Sequence, residues 1–411
     1  MNAREISRET EPQMSDPMER LSKSISTPEL ERRWGAVRAG MRERGIDYLV
    51  MQNSEEYMGG MLRWFTDYTA RHQFPMTVIF PADDDMTVIN CGAAPPAQQV
   101  FPPAFFARGI KNRLGDVYFA TMPYTALYDA KLAVDVLKEK PKATIAWVEP
   151  TFIPMTFADY LRENLPDATF VDATEWVDAI KVIKSPEEIG LLKDTAALQD
   201  GAIEYLRGVI KPGMHDYEVY AHAHFFLSAH GSERGLVQVN SGPLGTMVPF
   251  DVPRFQNRVI QKGDQVSVLI EVNGPGGYYC EVMRLYTVGV EPSQDLKDAF
   301  ATAKAVQKLI ASRFVPGAQP KDIWDEAVAA MVAAGYVPPA RSIAHGQGTP
   351  LVERPNIRPD ETWSLKEGMN IAVHPSIVKP PTVWAIVCDN FIIGKNGAEK
   401  IHKSAQEIFV V

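Results

Sequence analysis

The sequence predicts a two-domain protein in which an α/β domain is followed by a larger α+β domain. At 411 residues the chain is longer than one ordinary hydrophobic core supports, so two domains are expected. Strand-like and helix-like segments alternate through residues 26–182, which is typical of an α/β layer structure. In residues 183–411 capped helices are bracketed by segments typical of antiparallel strands, which indicates the α+β class. Residues 1–25 are polar and are expected to form an N-terminal arm.

The first domain opens with a helix that begins at Thr27 and Pro28 and ends at Gly45, because proline suits a first helical turn and glycine a helix end. The stretch DYLVMQ then predicts a strand. MTVIF and MTVIN flank PADDD, which is a hairpin pattern. The alternation continues with strands over TIAWV and TFVDA and helices over FADYLRENL and EWVDAIKVI.

The second domain begins with a helix that carries a capping box, because Ser185 precedes Pro186 and Glu188 stands three residues after the serine. A second helix is expected up to Gly231. The remaining segments comprise five predicted strands and two predicted helices. Strands are predicted over VSVLIEV, YYCEVMRLYTV, NIAVHP, TVWAIVCDNFII and EKIHK, and helices over DLKDAFATAKAVQKLIASRF and KDIWDEAVAAMVAAGY.

Composition and charge exclude several classes of protein. The chain is 45% apolar and 23% charged, as folded proteins are, and its net charge is −9 without a long basic run. Nucleic acid and an anionic membrane surface are therefore not expected partners. No signal peptide or membrane span is recognisable, and three widely spaced cysteines, Cys91, Cys280 and Cys388, do not suggest a disulfide framework. A cytoplasmic location is expected.

Seven motifs in the second half occur in an order and spacing that resemble one family. They are KSPEEI (184–189), IKPG (210–213), KGD (262–264), GYYCEVMR (277–284), AHGQG (344–348), LKEGM (365–369) and CDNFIIGKNGAEKI (388–401). Together they resemble the pita-bread family, which includes methionine aminopeptidase, aminopeptidase P, prolidase and creatinase. The first half is similar to the N-terminal domain of the creatinase, prolidase and aminopeptidase P branch.

The resemblance implies a homodimer with an active site in the C-terminal domain and the N-terminal domain of one chain capping the partner's site. Peptidases of the family hold two metals with two aspartates, a histidine and two glutamates. Those five positions correspond here to Glu271, Glu281, His345, His374 and Cys388, so four of the five residue types differ. Because two neighbouring cations need bridging carboxylates, the sequence predicts that the chain is not a dinuclear X-Pro peptidase.

Four residues are the catalytic candidates: Glu281, His345, His374 and Glu271. Glu281 shares one face of its predicted strand with Tyr279 and Met283, where a carboxylate would be costly to bury without a role. The small neighbours of His345 would let a ligand approach the backbone. Imidazole at the position of His374 is consistent with a retuned acid or base.

Nine further residues are predicted to bind substrate. Arg284 follows the second ligand position and is expected mainly to hold neighbouring carboxylates, and aromatic side chains around the site would suit a flat or apolar substrate. Residues from the N-terminal domain would complete the partner's pocket. The set is Tyr278, Tyr279, Arg284, Trp384, Cys388, Arg63, Trp64, Arg71 and His72.

The function expected from these residues is cleavage of a small molecule by side-chain acid and base catalysis. Creatinase-like hydrolysis of a C–N bond is the first version, and a lyase reaction by retro-aldol cleavage or β-elimination is the alternative. No cofactor is expected. The alternative is one divalent metal, Fe, Zn or Mn, held by Glu281, His345 and His374, which form a two-histidine, one-carboxylate set. A role as a non-enzymatic binding protein ranks last, because ionisable residues stand at every site position.

Overall fold

The structure is a computed structural model and describes residues 23–53, 60–68, 74–92, 108–119 and 121–411. Its N-terminal part is a six-stranded sheet with helices on both faces. The helices are α1 (Thr27–Arg44), α2 (Met61–Thr66), α3 (Tyr128–Leu137), α4 (Met155–Asn164) and α5 (Thr174–Lys181). The strands are β1 (Tyr48–Asn53), β2 (Met76–Pro81), β3 (Met86–Cys91), β4 (Ile110–Asp116), β5 (Thr144–Trp147) and β6 (Thr169–Asp172).

The order of strands in this sheet is β4-β3-β2-β1-β5-β6. The β2–β3 hairpin is antiparallel, as the sequence predicts, and β1, β5 and β6 are parallel to one another. Helix α1 begins after the side-chain cap of Ser26 and ends at Gly45, whose φ of 63° lies in the left-handed region that favours glycine. The sequence-based bounds of this helix are confirmed.

The C-terminal part contains four helices and three sheets. The helices are α6 (Pro186–Arg207), α7 (Asp216–Ala229), α8 (Gln294–Ser312) and α9 (Pro320–Ala333). The strands are β7 (Gly235–Pro243), β8 (Asp264–Asn273), β9 (Tyr279–Thr287), β10 (Ala344–Gly346), β11 (Glu353–Asn356), β12 (Asn370–Val373), β13 (Ser376–Lys379), β14 (Val383–Ile386), β15 (Asp389–Gly394), β16 (Gly397–Lys400) and β17 (Ile408–Val410).

Two of these sheets meet at the centre of the domain. The first has the order β17-β9-β8-β7 and the second the order β11-β10-β12-β15-β16. A bridge between Met283 of β9 and Cys388, just before β15, joins them. Strand β9 therefore carries its side chains into the layer between the two sheets, where Met283 and Leu285 lie in the same core as Val373.

Some elements differ from the sequence-based expectation. The stretch TVWAIVCDNFII, predicted as one strand, is divided into β14 and β15, because Cys388 bonds back to β9 at the break. The last predicted strand ends at Lys400 rather than at Lys403. Strands β4, β7, β10, β11, β13 and β17 and helices α2 and α3 were not predicted. Among the described residues no helix has the length and hydropathy that a membrane span requires.

The two parts of the chain are connected by a buried polar cluster. Arg33 of α1 donates to Glu188 of α6 at 3.1 Å and to the hydroxyl oxygen of Tyr278 at 2.7 Å, and it also pairs with Glu29. Arg33 is 1% exposed and Glu188 is fully buried. Removal of one member would leave the others as uncompensated buried charges, so this cluster fixes the first domain against the helix that opens the second.

The N-terminal domain also contains a buried carboxyl group, Asp129. The pH dependence of the free energy of unfolding tests whether this group is buried as the structure shows. Burial raises the pKa of Asp129 to about 6, although Gln52 donates to it. An acid with a raised folded-state pKa loses stability as pH rises from its unfolded pKa through about 6. We therefore expect Asp129→Asn to gain about 1–2 kcal/mol relative to wild type between pH 5 and pH 7.5, measured by urea unfolding. Asp135→Asn, an exposed change on the same helix, is the control, and an equal gain there would contradict the prediction.

Candidate active site

Glu281 lies on β9 with its side chain in the layer between the two sheets. It is 1% exposed, and its backbone N–H donates to Asn390 Oδ1 at 2.8 Å. Its carboxylate oxygen Oε2 is buried and has no hydrogen-bond partner among the residues that the structure describes. A buried carboxylate oxygen without a partner is costly, so this atom points to a ligand that the protein atoms do not supply.

Two histidines converge on that oxygen from the second sheet. His345 of β10 places Nε2 at 3.5 Å from Glu281 Oε2, and His374, directly after β12, places Nε2 at 3.9 Å. The two ring centroids are 5.0 Å apart. His374 Nε2 is a second buried atom without a hydrogen-bond partner. Pairing of β10 with β12 brings the two imidazoles together although they are 29 positions apart in the sequence.

The hydrogen bonds of His345 fix which of its nitrogens can accept a metal. Its Nδ1 lies 3.1 Å from the carbonyl oxygen of Gly346. A carbonyl oxygen only accepts, so Nδ1 carries a proton and Nε2 is the nitrogen left to bind a metal. Nε2 is also the atom that faces Glu281 Oε2. Outer hydrogen bonds of this kind orient histidine ligands in metal sites.

The charges of the cluster follow from its burial. Burial lowers the pKa of His374 to about 4, although Glu281 acts in the opposite direction, so this imidazole is neutral at pH 7. For Glu281, burial acts to raise the pKa, but the neighbouring His374, His345 and Arg341 outweigh it and the net shift is downward. The centre therefore offers an anionic oxygen from Glu281 and a neutral imidazole nitrogen from His374, with His345 Nε2 beside them.

These three residues fit one divalent metal ion. One ligand atom from each of Glu281, His345 and His374 lies within 4.8 Å of the others. Two histidines and one carboxylate are a donor set that suits divalent iron, zinc and manganese. Two of the three donor atoms have no other partner among the described residues. The expectation that the site needs no metal is therefore not supported, and the metal alternative fits.

Glu271 lies beside this set and is not part of it. It is the direct cross-strand partner of Glu281 in the β8–β9 ladder and is 6% exposed. Burial and the charge of Glu281 raise its pKa well above the usual range. Gln347 donates to Glu271 Oε1 at 2.8 Å. The structure thus places a carboxyl group with a raised pKa next to one with a lowered pKa.

Cys388 and Arg284, both predicted to bind substrate, make contacts within the chain. The Cys388 thiol is fully buried and contacts the Glu281 carbonyl oxygen at 3.4 Å, and burial raises its pKa, which keeps it protonated. Arg284 is fully buried and donates to Asp389 at 2.7 Å and to Ser404 at 2.7 Å, so it holds a neighbouring carboxylate as the sequence predicts. The substrate role of both residues stays a prediction.

The three aromatic candidates, Tyr279, Tyr278 and Trp384, lie in different surroundings. Tyr279 shares the face of Glu281 and is 1% exposed, so its placement beside the cluster agrees with the sequence-based prediction. Tyr278 lies on the opposite side, where its hydroxyl group bonds Arg33 and Glu188, so its predicted substrate role is corrected. Trp384 is on β14 and packs edge to face on Phe250.

The residues predicted to cap a partner's site are engaged within their own chain. Trp64 is 1% exposed in the core of the N-terminal domain. Arg63 forms an ion pair with Glu233 and lies against Gly277 of the same chain. The predicted contact of these two residues with a partner's site stays a prediction. Arg71 and His72 lie outside the described residues. The homodimer itself stays a prediction.

The glycines beside His345, which were expected to let a ligand approach the backbone, lie where other parts of the chain approach it closely. A Cβ atom on Gly346 would lie 2.5 Å from the carbonyl oxygen of Arg354, and one on Gly348 would lie 2.5 Å from Lys184 Nζ. These close approaches come from the chain itself, and not from a ligand near the backbone. Lys184 in turn pairs with Glu353 behind the site.

Two polar residues of the site were not identified from the sequence. Gln347 and Asn390 are both fully buried and hydrogen-bond to each other at 2.9 Å. Each lies inside a motif, Gln347 in AHGQG and Asn390 in CDNFII, close to a second polar residue, His345 or Asp389. The signal in the sequence was an amide side chain inside a motif. The sequence does not show its hydrogen-bond partners, because they are distant along the chain.

Comparison with known proteins agrees with this architecture. The model of metallopeptidase family M24 matches residues 190–401, which is more than half of the chain, and the model of the creatinase/prolidase N-terminal domain matches residues 33–183. The chain belongs to the M24 family. The predicted pita-bread fold with a preceding creatinase-type domain is confirmed.

Individual relatives are more distant. An uncharacterized peptidase of Bacillus subtilis, YqhT, is 27% identical over 62% of this chain and 73% of its own length. An Xaa-Pro dipeptidase of Pyrococcus horikoshii is 23% identical over 62% and 72%. The structure of an Xaa-Pro dipeptidase from Bacillus anthracis superposes with a TM-score of 0.73 at 20% identity and covers 93% of this chain and all of that one. At that identity the likeness of structures establishes the fold.

These findings correct the function predicted from the sequence. Cleavage of a small molecule by side-chain acid and base groups, with X-Pro peptidases excluded, is contradicted because the named relatives are Xaa-Pro dipeptidases. Lyase chemistry has no support among them. Members of the family are enzymes of the peptidase and hydrolase kind.

Proposed function

We propose that this protein is a metal-dependent hydrolase of the peptidase kind that cleaves an amide bond of a short peptide. The observation that carries the proposal is the convergence of Glu281, His345 and His374, with two buried donor atoms that have no hydrogen-bond partner within the described part of the chain. Relatives named as Xaa-Pro dipeptidases supply the class of substrate to test first.

The three residues that would hold the metal have separate roles. Glu281 supplies the negative charge, and the two imidazoles supply neutral nitrogen donors. A divalent ion held there would act as a Lewis acid that polarises the carbonyl group of the bond to be cleaved. The burial of all three residues keeps competing water from their donor atoms, which strengthens their electrostatic interactions.

Tyr279 is two residues before Glu281 on β9, and Glu271 lies opposite Glu281 on β8. The backbone N–H of Tyr279 donates to the carbonyl oxygen of Gly348 at 2.7 Å, which ties β9 to the loop that follows His345. This bond orients the AHGQG segment against Glu281. The chain thus positions the histidine and the carboxylate through backbone contacts as well as through side chains.

A dipeptide assay tests the proposal. The full-length protein, loaded with Mn²⁺, Co²⁺, Zn²⁺ or Fe²⁺, is incubated with Xaa-Pro dipeptides and with matched Xaa-Ala dipeptides, and released amino acids are quantified. We expect cleavage with about one bound equivalent of metal and loss of cleavage after chelation, with recovery on adding the metal back.

Two results would overturn the proposal. One is the absence of cleavage in both dipeptide series by protein that carries one equivalent of metal. The other is turnover that survives complete removal of the metal.

A further inference from the structure

Lys184 lies at the junction of the two domains, between the ranges that the two family models match. It is the first residue of the KSPEEI motif, which contributes no residue to the cluster of one glutamate and two histidines. The residue follows the end of α5 by three positions and precedes α6 by two. It is 5% exposed, so its ammonium group is buried at this junction. A buried charge is costly without partners, and the partners of Lys184 lead to the candidate active site.

The side chain of Lys184 contacts the segment that follows His345. Its Nζ donates to Glu353 Oε1, and Glu353 is the direct cross-strand partner of Gly346 in the β10–β11 pair. A Cβ atom on Gly348 would lie 2.5 Å from Lys184 Nζ and 2.9 Å from Glu353 Oε2. The loop after His345 therefore packs directly on this ion pair, and the ion pair restricts where the loop and the histidine can lie.

The backbone of Lys184 bonds the segment that leads to the second histidine. Its N–H group donates to the carbonyl oxygen of Gly368 at 3.0 Å. A Cβ atom on Gly368 would lie 3.3 Å from the carbonyl oxygen of Lys184, so the two backbones also pack closely. Gly368 is two residues before β12, and His374 directly follows that strand. Through its side chain and its backbone, one residue thus contacts the segments of both histidines.

The same ion pair includes the last helix of the N-terminal domain. Lys184 Nζ also donates to the carbonyl oxygen of Lys181, the last residue of α5, at 3.1 Å. Lys181 Nζ lies 3.1 Å from Asp178 Oδ1 and 3.6 Å from Glu353 Oε2. Both lysines are buried beside Glu353, and Lys184 Nζ is the atom nearest to the Cβ position of Gly348. The position of α5 is therefore linked to the loop after the first histidine.

We propose that Lys184 is a positioning residue that holds the segments of His345 and His374 at the spacing in which their imidazoles converge on Glu281. The proposal rests on the proposed hydrolase function, because it concerns the metal centre on which that function depends. A shift of either segment would change the distances of 3.5 and 3.9 Å between the imidazole nitrogens and Glu281 Oε2. Because a metal ion accepts only a narrow range of ligand distances, such a shift weakens metal binding and distorts the coordination geometry.

Titration of Co²⁺ into the full-length apo protein tests the role of Lys184 without a substrate. The dissociation constant, the stoichiometry and the visible absorption spectrum are recorded, because the spectrum reports the coordination geometry. We expect Lys184→Met to raise the dissociation constant by about 10–100-fold and to change the spectrum. Wild-type affinity and spectrum in a folded Lys184→Met protein would overturn the inference.

Lys181→Met is the matched control for this change. It removes a second buried ammonium group from the same cluster, three positions away and beside the same carboxylate. We expect a comparable fall in the free energy of unfolding, measured with urea, together with the Co²⁺ affinity and spectrum of the wild type. Equal weakening of Co²⁺ binding in both lysine variants would show a general effect of lost stability and overturn the specific role of Lys184.

Lys184→Gln keeps the test informative if Lys184→Met does not fold. The amide keeps a hydrogen-bond donor, but it loses the charge and is shorter than the lysine side chain. We therefore expect a change of Co²⁺ affinity in the same direction and of smaller size. A folded Lys184→Gln protein with the affinity and spectrum of the wild type would also overturn the inference.

The two proposals fail in different ways. A wild-type protein that binds no Co²⁺ and cleaves no dipeptide would reject the metal centre and with it the hydrolase function. A wild type that binds one Co²⁺ and cleaves dipeptides, with Lys184→Met unchanged in both, would reject the role of Lys184 and leave the hydrolase function standing.

Discussion

Glu281→Gln is expected to abolish metal binding and to lower kcat by at least about 10³-fold in the dipeptide assay. Glu281 is the one ionised carboxylate of the cluster, and the amide that replaces it keeps the shape but not the charge or the second oxygen acceptor. Its pKa is lowered despite burial, so the anion is the form present at neutral pH. Loss of that charge leaves two neutral imidazoles, which are too few donors for a stable site. Metal analysis of the purified variant and kinetics with added metal measure the effect.

The matched control for this change is Glu271→Gln. The two glutamates are opposite each other on neighbouring strands, and both are buried, so the two substitutions perturb the sheet similarly. The first should lose the metal and the second should keep it. Equal metal content in wild type and Glu281→Gln would contradict the assignment of the centre. Equal loss in both variants would show that both glutamates are ligands.

Charge counting explains why the sequence led to a metal-free expectation. Replacement of carboxylates by imidazole and thiol removes negative charge at His374 and Cys388, and from this the sequence-based argument excluded a dinuclear X-Pro peptidase and ranked a site with one metal second. The structure shows that the remaining donors still converge, and that burial keeps His374 neutral with an available nitrogen. A residue that carries no negative charge can still bind a metal, because a neutral imidazole has a donor nitrogen. Whether such donors converge on one point can be read only from the structure.

The site residues that could be predicted are those whose position depends on local pattern. Alternation along β9 placed Glu281 and Tyr279 on one face, and motif spacing located His345 and His374. For Tyr278 the side of the strand could be predicted from the alternation, but the hydrogen-bond partner of its hydroxyl group could not. Its hydroxyl group bonds Arg33, which is 245 positions away in the sequence.

The same distinction holds for the fold. Helix α1 was predicted within a residue because its caps are local. Strands β10, β11 and β13 are three or four residues long, and β10 also pairs with β12, which begins 24 positions after it ends. Segments that short carry too few residues for a periodic pattern, so tertiary pairing decides them.

Arg284 gives the prediction with the largest effect on stability. Its guanidinium group and the carboxylate of Asp389 are both fully buried and 2.7 Å apart, in the layer where β9 meets β15. Burial acts to raise the pKa of Asp389, but Arg284 outweighs it and the net shift is downward. Arg284→Met should therefore lower the free energy of unfolding by about 3–5 kcal/mol, because it leaves a buried carboxylate without its counter-charge. Urea unfolding at pH 7 measures the loss.

A second substitution separates the effect of an unpaired buried charge on stability from the effect of lost packing. In Arg284→Met combined with Asp389→Leu no uncompensated charge remains, so we expect the double variant to recover more than half of the stability that the single variant lost. Arg358→Met removes an arginine from an exposed pair with Asp360 and should change stability by less than about 0.5 kcal/mol. A double variant as unstable as Arg284→Met would mean that the bonds of Arg284 to Ser404 and to the carbonyl oxygens of Met283 and Cys388 dominate its contribution. In that case the arginine stabilises the joint between the two sheets chiefly as a hydrogen-bond donor to the backbone, and its pairing with Asp389 is secondary.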